Sequence, residues 1–220
     1  MAGYIILDVE TNGIYVYKYP KGHKLAGQPY PADGPGQARV AEIGIIYCDD
    51  DFNVEREWHA YIKPDGWEMT PETTAINGLN TDFLMLEGIP IVEALQVYHS
   101  AILQGRVVVA FNVQFDAKAL RGESRRAGLD DLFEETYNTC AMRSAMNLEP
   151  KVQKLGEKKG GFPKLSDVAA HFGIPQEMEH SAIDDARVTV LIAKALKEAG
   201  KLMAPDVHRA KNHPNEGAEA

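Results

Sequence analysis

The sequence predicts an α/β domain, a sheet covered by helices, on three observations. Short β-branched apolar runs bounded by turn residues crowd the first half. Strand-like runs alternate with helical patterns in the second half, and 45% of the 220 residues are hydrophobic, enough to bury one core of ordinary size. A single domain is expected over residues 1–200. From Lys201 the segment "KLMAPDVHRAKNHPNEGAEA" loses periodicity and reads as a flexible tail over 201–220.

The elements follow in order. "GYIILDVET" is a buried strand that ends at Asn12-Gly13. Residues 14–37 are rich in Tyr, Gly and Pro, and alternating Tyr15, Tyr17 and Tyr19 suggest a strand or hairpin arm before an irregular loop. "ARVAEIGIIYC" and "EREWHAYIK" alternate as two further strands. The intervening "DDDFNV" imitates a calcium loop but has Val54 where Gly is needed and Ala60 where the bidentate Glu belongs, so it reads as a hairpin turn. A short helix spans 71–76. A longer one carries Ile91, Leu95, Tyr98 and Ile102 on one face. "RVVVAF" is the next buried strand. Then come a helix over about 113–127, a strand near 133–137, and helices over about 165–172 and 182–197.

Several classes are excluded by composition. No apolar stretch approaches the roughly 20 residues of a bilayer span and no leader-like segment opens the chain, so a soluble, cytoplasmic protein with no membrane partner is expected. Cys48 and Cys140 lack metal-type spacing and read as buried free thiols. A net charge of −9 argues against a broad phosphate-binding surface. The lysines of "KVQKLGEKKGGFPK" and the series Lys118, Arg121 and Arg125 on one helix face offer local basic tracks, against simple solvated surface.

Three groups of acids then need an explanation. Alternation along the first strand points Tyr4, Ile6, Asp8 and Glu10 to one face, with the two acids roughly 6.6 Å apart at Cα. That spacing lets both reach one hard cation. In "FNVQFDAKAL", Asn112 can cap a helix whose first turns hold Asp116, at the C-terminal end of a buried strand where sites in α/β sheets usually form. In "HSAIDDARVT", Ser181 fits an N-cap and Asp184 the returning acid of a capping box. Asp185 instead falls on the inward arc between Ile192 and Leu196, where a carboxylate is costly unless paired or bound.

"LDVETNG", "FNVQFDAKAL" and "HSAIDDA", in that order, resemble the three motifs of the DEDDh exonuclease family, which includes the polymerase proofreading subunit, oligoribonuclease and ribonuclease T. The resemblance covers about residues 3–197, with "ARVAEIG", "TTAINGLN" and "KLSDVAAHFGI" similar to the connecting segments. It implies a ribonuclease-H-like mixed five-stranded sheet with helices on both faces. It also implies that Asp8, Glu10, Asp116 and Asp185 hold two divalent cations, Mg²⁺ or Mn²⁺, and that His180 is the general base. The implied reaction is stepwise 3′→5′ hydrolysis of a nucleic acid with a free 3′ end, releasing nucleoside 5′-monophosphates, with single-stranded or frayed DNA favoured over RNA. Val9, Thr11, Asn77, Gly78, Leu79 and Asn112 correspond to substrate contacts, although Asn77 stands where related proteins often carry His. The 14–37 insert is longer than expected for the family and, leaving directly from the first motif, suggests a base-stacking or gating element. An exoribonuclease and a non-catalytic polymerase-associated module stay open as alternatives. The polymerase or repair partner and the oligomeric state are not legible.

Overall fold

The computed structural model describes residues 3–149, 152, 161–175 and 181–207. Among them, in chain order, lie β1 (Tyr4–Thr11), β2 (Val40–Cys48), β3 (Val54–Tyr61), α1 (Pro71–Asn77), α2 (Thr81–Glu87), α3 (Ile91–Leu103), β4 (Val107–Ala110), α4 (Val113–Arg126), β5 (Tyr137–Cys140), α5 (Ala141–Ala145), α6 (Leu165–His171), α7 (Ala182–Glu198) and β6 (Asp206–Val207). The strands form one mixed sheet in the order β3-β2-β1-β4-β5-β6. β1 pairs antiparallel with β2 and parallel with β4, so it lies at the centre with both neighbours bonded to it.

Alternation along β1 divides the core. Ile5, Leu7 and Val9 pack with Leu95 and Tyr98 of α3 and with Leu120 of α4. Tyr4 and Ile6 point the other way, onto Ala186, Val190 and Ala193 of α7. Ile5, Ile6 and Leu7 are fully buried, and each contributes roughly 1.5–3 kcal/mol to the folded state. α5 and α6 extend the α7 layer through Ala141, Ala145, Val168 and Ala169, which meet Ile192 and Leu196. Asp8 and Glu10 continue the Tyr4–Ile6 face, so the core pattern of β1 aims them towards α7.

"DDDFNV" is the expected hairpin turn. The Asp49 carboxylate accepts from the backbone N–H groups of Asp51 and Asn53 at 2.9 and 2.8 Å, and Phe52 takes φ 60°. The α/β class with helices on both faces is as expected. The strand count is corrected from five to six, because Asp206–Val207 pair antiparallel with Tyr137–Asn138 and bring the start of the expected tail into the sheet. The strand placed near 133–137 is shifted. Asp131 caps a short 3₁₀ turn over Leu132–Glu135, Phe133 lies against the Arg121 guanidinium, and the strand begins only at Tyr137.

In the 14–37 insert the expected arm is reduced to an isolated bridge between Lys18 and Pro29, flanked by backbone bonds from Tyr19 to Gln28 and from Tyr30 to Tyr17. Pro29 has no N–H to extend the ladder. α2 and α5 carry no clear periodic signal over so few residues and are revealed by the fold. Cys48 and Cys140 are buried free thiols. No helix among the described residues is long and apolar enough to cross a membrane.

Candidate active site

Four acids meet at the ends of β1, α4 and α7. Carboxylate oxygens of Asp8, Glu10 and Asp185 lie within 4.8 Å of one another. Asp116, 2% exposed, accepts from the Val9 backbone N–H at 3.2 Å, which ties the first turns of α4 to the middle of the D-x-E triplet. The four acids, Val9 and Asn112 line one cleft of about 240 Å³, together with Phe111, Phe115 and Leu165.

The electrostatics of the cleft fit a cation. Burial, and then the charges of Asp116, Asp185, Glu10 and Glu42, push the Asp8 carboxyl far above the ordinary carboxylate range. Glu10 is pushed up to about 7, mainly by burial, against a lowering hydrogen bond from Asn77. Asp116 rises to about 8, again mainly by burial, although its own backbone N–H and that of Val9 lower it. Among the described residues, the charges resolved as acting on Asp8 are those of four acids. Oxygen ligands of this number and hardness suit Mg²⁺ or Mn²⁺, whose charge would offset the mutual repulsion.

The twin aspartates of α7 face different ways, and where a capping box was expected the Asp184 carboxylate returns to the Ser181 hydroxyl. The Ser181 hydroxyl caps the Asp184 N–H at 3.2 Å, and the Asp184 carboxylate takes the Ser181 hydroxyl and an Arg187 N–H, each at 2.6 Å. These bonds, the Ser181 one first, hold Asp184 below the usual carboxylate range. Asp185 turns into the cleft. Asn112 departs from expectation, since its side chain makes no cap bond to α4 and lines the cleft instead.

The other expected contacts divide. The Asn77 amide donates to Glu10 Oε2 at 3.3 Å, so the "INGLN" turn abuts the acids, and Gly78 takes the left-handed conformation (φ 73°) that ends α1. The Leu79 side chain packs with Ala41, Met69 and Leu84 in a small core, and buried Thr11 donates its hydroxyl to the Gly13 carbonyl at 2.7 Å. The basic series on α4 is drawn into the molecule. Lys118 donates to the Tyr30 carbonyl at 2.8 Å, and Arg121 and Arg125 bond Asp131. His180 and the lysines at 151, 154, 158 and 159 lie outside the described residues.

One element of the site escaped sequence reasoning. Glu42, 1% exposed, sits opposite Glu10 across the β1–β2 pair. Its Oε1 accepts from the Ala182 backbone N–H at 3.1 Å and lies 2.7 Å from His59 Nε2. Two residues on, a Cβ on Gly44 would come within 2.7 Å of Ile183 Cα, so only glycine lets α7 approach this closely. Glu42 and Gly44 together seat the start of the helix that bears Asp185. The available signal was a charged residue inside "ARVAEIGIIYC", a strand otherwise apolar enough to be buried on both faces.

An α/β sheet with an acidic cluster beyond the ends of its central strands is an arrangement that could hold divalent cations. The family model for exonucleases of the RNase_T type matches residues 5–193, and the chain belongs to that family. It therefore carries an exonuclease-family domain, the class whose three motifs it resembles. It is 29% identical over 167 residues to DNA polymerase III subunit epsilon of Treponema pallidum, covering 74% of this chain and 72% of that one. A Mycobacterium tuberculosis protein whose name describes a bifunctional exonuclease/endonuclease is 26% identical over 196 residues, 89% of this chain and 26% of that protein. Escherichia coli exonuclease I, in a zinc-bound complex with single-stranded DNA, superposes with a TM-score of 0.68 at 22% identity, over 89% of this chain and 40% of that one. At that identity the likeness is one of fold. The chain thus spans about a quarter of the mycobacterial relative and two fifths of exonuclease I.

Proposed function

We propose that this domain removes nucleotides one at a time from the 3′ end of single-stranded or frayed DNA, releasing nucleoside 5′-monophosphates. The observation that carries the reading is the convergence of Asp8, Glu10 and Asp185 oxygens within 4.8 Å, with Asp116 tethered beside them, in a chain of the exonuclease family. DNA is favoured over RNA because the epsilon relative is named for a DNA polymerase and exonuclease I is seen with single-stranded DNA. Two divalent ions held by Asp8, Glu10, Asp116 and Asp185 would stabilise the charge of the transition state and lower the pKa of a bound water.

The chain's own groups supply the rest. Asp8 would be one of the ligands, since its carboxylate lies within 4.8 Å of those of Glu10 and Asp185. The Val9 N–H holds Asp116 in place, and Asn77 holds Glu10. His180, as general base, takes the proton of the attacking water and releases it to solvent. A neutral imidazole is suited to this near pH 7. His180 directly precedes the Ser181 cap, and the seating of Ala182 on Glu42 supports a start of α7 anchored at the cleft.

The test uses 5′-labelled single-stranded DNA, duplex DNA and RNA, each with Mg²⁺, Mn²⁺ or EDTA. The expected product is a ladder shortening from the 3′ end of the single strand, absent with EDTA and with Asp8→Ala. His180→Ala is expected to lower turnover by about 10²–10⁴ while leaving Mn²⁺ binding measurable by calorimetry. Metal-independent cleavage would overturn the reading, and equal or faster decay of RNA would move the substrate to ribonucleotides.

A further inference from the structure

The insert over 14–37 is held as a fixed arm against α4. The Gln37 side chain bonds both the N–H and the carbonyl of Val16, at 2.9 and 2.8 Å, and the carbonyl of Pro31 at 2.7 Å. Gly122 of α4 lets the arm approach, since a Cβ there would come within 2.5 Å of the Ala32 carbonyl oxygen. Tyr15, 3% exposed, packs edge-on against Phe115 with ring centroids 5.5 Å apart, and Phe115 lines the acidic cleft. The next outward-facing aromatic, Tyr17, is 46% exposed beside exposed Val16. Lys118, two residues beyond Asp116 on α4, holds its ammonium 5.1 Å from the Tyr17 ring centroid. Burial, and then the charge of Asp116, raise the Tyr17 hydroxyl above its ordinary range.

These pieces make a particular surface: a half-exposed aromatic ring with a cation over one face, on an arm anchored through Phe115 of the cleft wall. Every nucleobase has a π-face, and stacking on a fixed ring is sequence-tolerant, whereas a base already paired in duplex presents no free face to a side arm. We propose that Tyr17, with Lys118 beside it, is a binding site for an unpaired nucleobase of the strand whose 3′ end occupies the cleft, and so selects single strands. The proposal rests on the exonuclease reading and deepens it by naming what recognises the strand.

The test compares wild type, Tyr17→Ala and Tyr17→Phe on a twelve-residue oligothymidylate and on the same strand with abasic residues in place of all but the last thymidine. Tyr17→Ala is expected to raise KM for the thymidylate about tenfold with kcat held within a factor of two or three, and Tyr17→Phe to restore it. On the abasic strand the three proteins should converge. Equal KM for wild type and Tyr17→Ala on the thymidylate, or an equal loss on both strands, overturns the base platform. Failure of the exonuclease reading looks different: wild type hydrolyses neither strand with Mn²⁺. Anisotropy of the fluorescein-labelled thymidylate then decides the platform, which is overturned if Tyr17→Ala binds as tightly as wild type.

Discussion

α4 has one aspartate in its first turn, Asp116, and α7 has two, and Asp116 and the outer one of α7, Asp184, meet opposite fates. In α7 the Ser181 hydroxyl and Arg187 satisfy Asp184, which stays at the surface with its carboxyl held down. In α4 Asp116 is buried, accepts the Val9 backbone N–H, and is pushed up to about 8 by burial. An acid near a helix N-terminus is favourable to the macrodipole in either case. The difference teaches that the same local signal marks a cap when a hydroxyl and a guanidinium are at hand, and a member of a buried acid cluster when the turn faces other acids.

The strongest way to break that comparison is to neutralise the inward acid beside the capping one. Asp185→Asn is expected to lower exonuclease turnover by about 10³ or more, as loss of an ion held in the transition state costs several kcal/mol. Asp184→Asn should keep turnover near wild type in the same ladder assay. Comparable losses would erase the distinction. Next in size is the seat of α7. Glu42→Ala leaves the Ala182 N–H and His59 without their buried partner, at about 1–3 kcal/mol in urea unfolding, and should also lower turnover through misplacement of Asp185. Retained stability and turnover would show that α7 does not need this seat.

The two classes of acid should also differ in the sign of their pH dependence. Glu10 and Asp116 have folded-state pKa values of about 7 and about 8, above the ordinary 4.5 and 3.8, so the folded protein binds more protons than the unfolded chain between those limits. Their contribution is therefore full below about pH 4 and is lost as pH rises through 7 to 8. EDTA-treated protein should show a Tm that falls over that range, with a Mn²⁺ increment that grows as it falls. A flat profile would contradict a metal-free cluster of buried acids. Asp184 has the opposite sign, since its lowered pKa gives stability that is present at neutral pH and lost on acidification below about pH 4. The smallest effect is that of the cap. Ser181→Ala should cost about 1 kcal/mol in urea unfolding with little change in KM.

Much of the site was legible because two periodicities suffice to place an acid. Alternation along β1 put Asp8 and Glu10 on one face, and the helical wheel turned Asp185 inward and Asp184 outward, as the packing of Ile192 and Leu196 in the core bears out. The 3₁₀ turn at Leu132–Glu135 was read as strand because Phe133 looks like a core aromatic until the Arg121 it covers is known. Asn112 looked like a cap because the local sequence cannot tell whether a cleft will claim its side chain. Glu42 was the harder case. Its partners, Ala182 and His59, lie 140 and 17 residues away, so no window of sequence contains the interaction.

By itself the sequence determined the alternating core of β1, the opposite facing of Asp184 and Asp185, the three motifs in order and hence the exonuclease family. Those depend on short-range geometry, 2.0 and 3.6 residues per repeat, which the chain carries locally. Only the tertiary structure decided that Asp116 is tethered by Val9, that Glu42 and Gly44 seat α7, that α4 draws its basic residues inward, and that the tyrosine arm is clamped by Gln37 beside the cleft. Each of these joins segments distant in sequence, and long-range contacts are chosen by which surfaces exclude water together, a property of the folded sheet and helices and of no single segment.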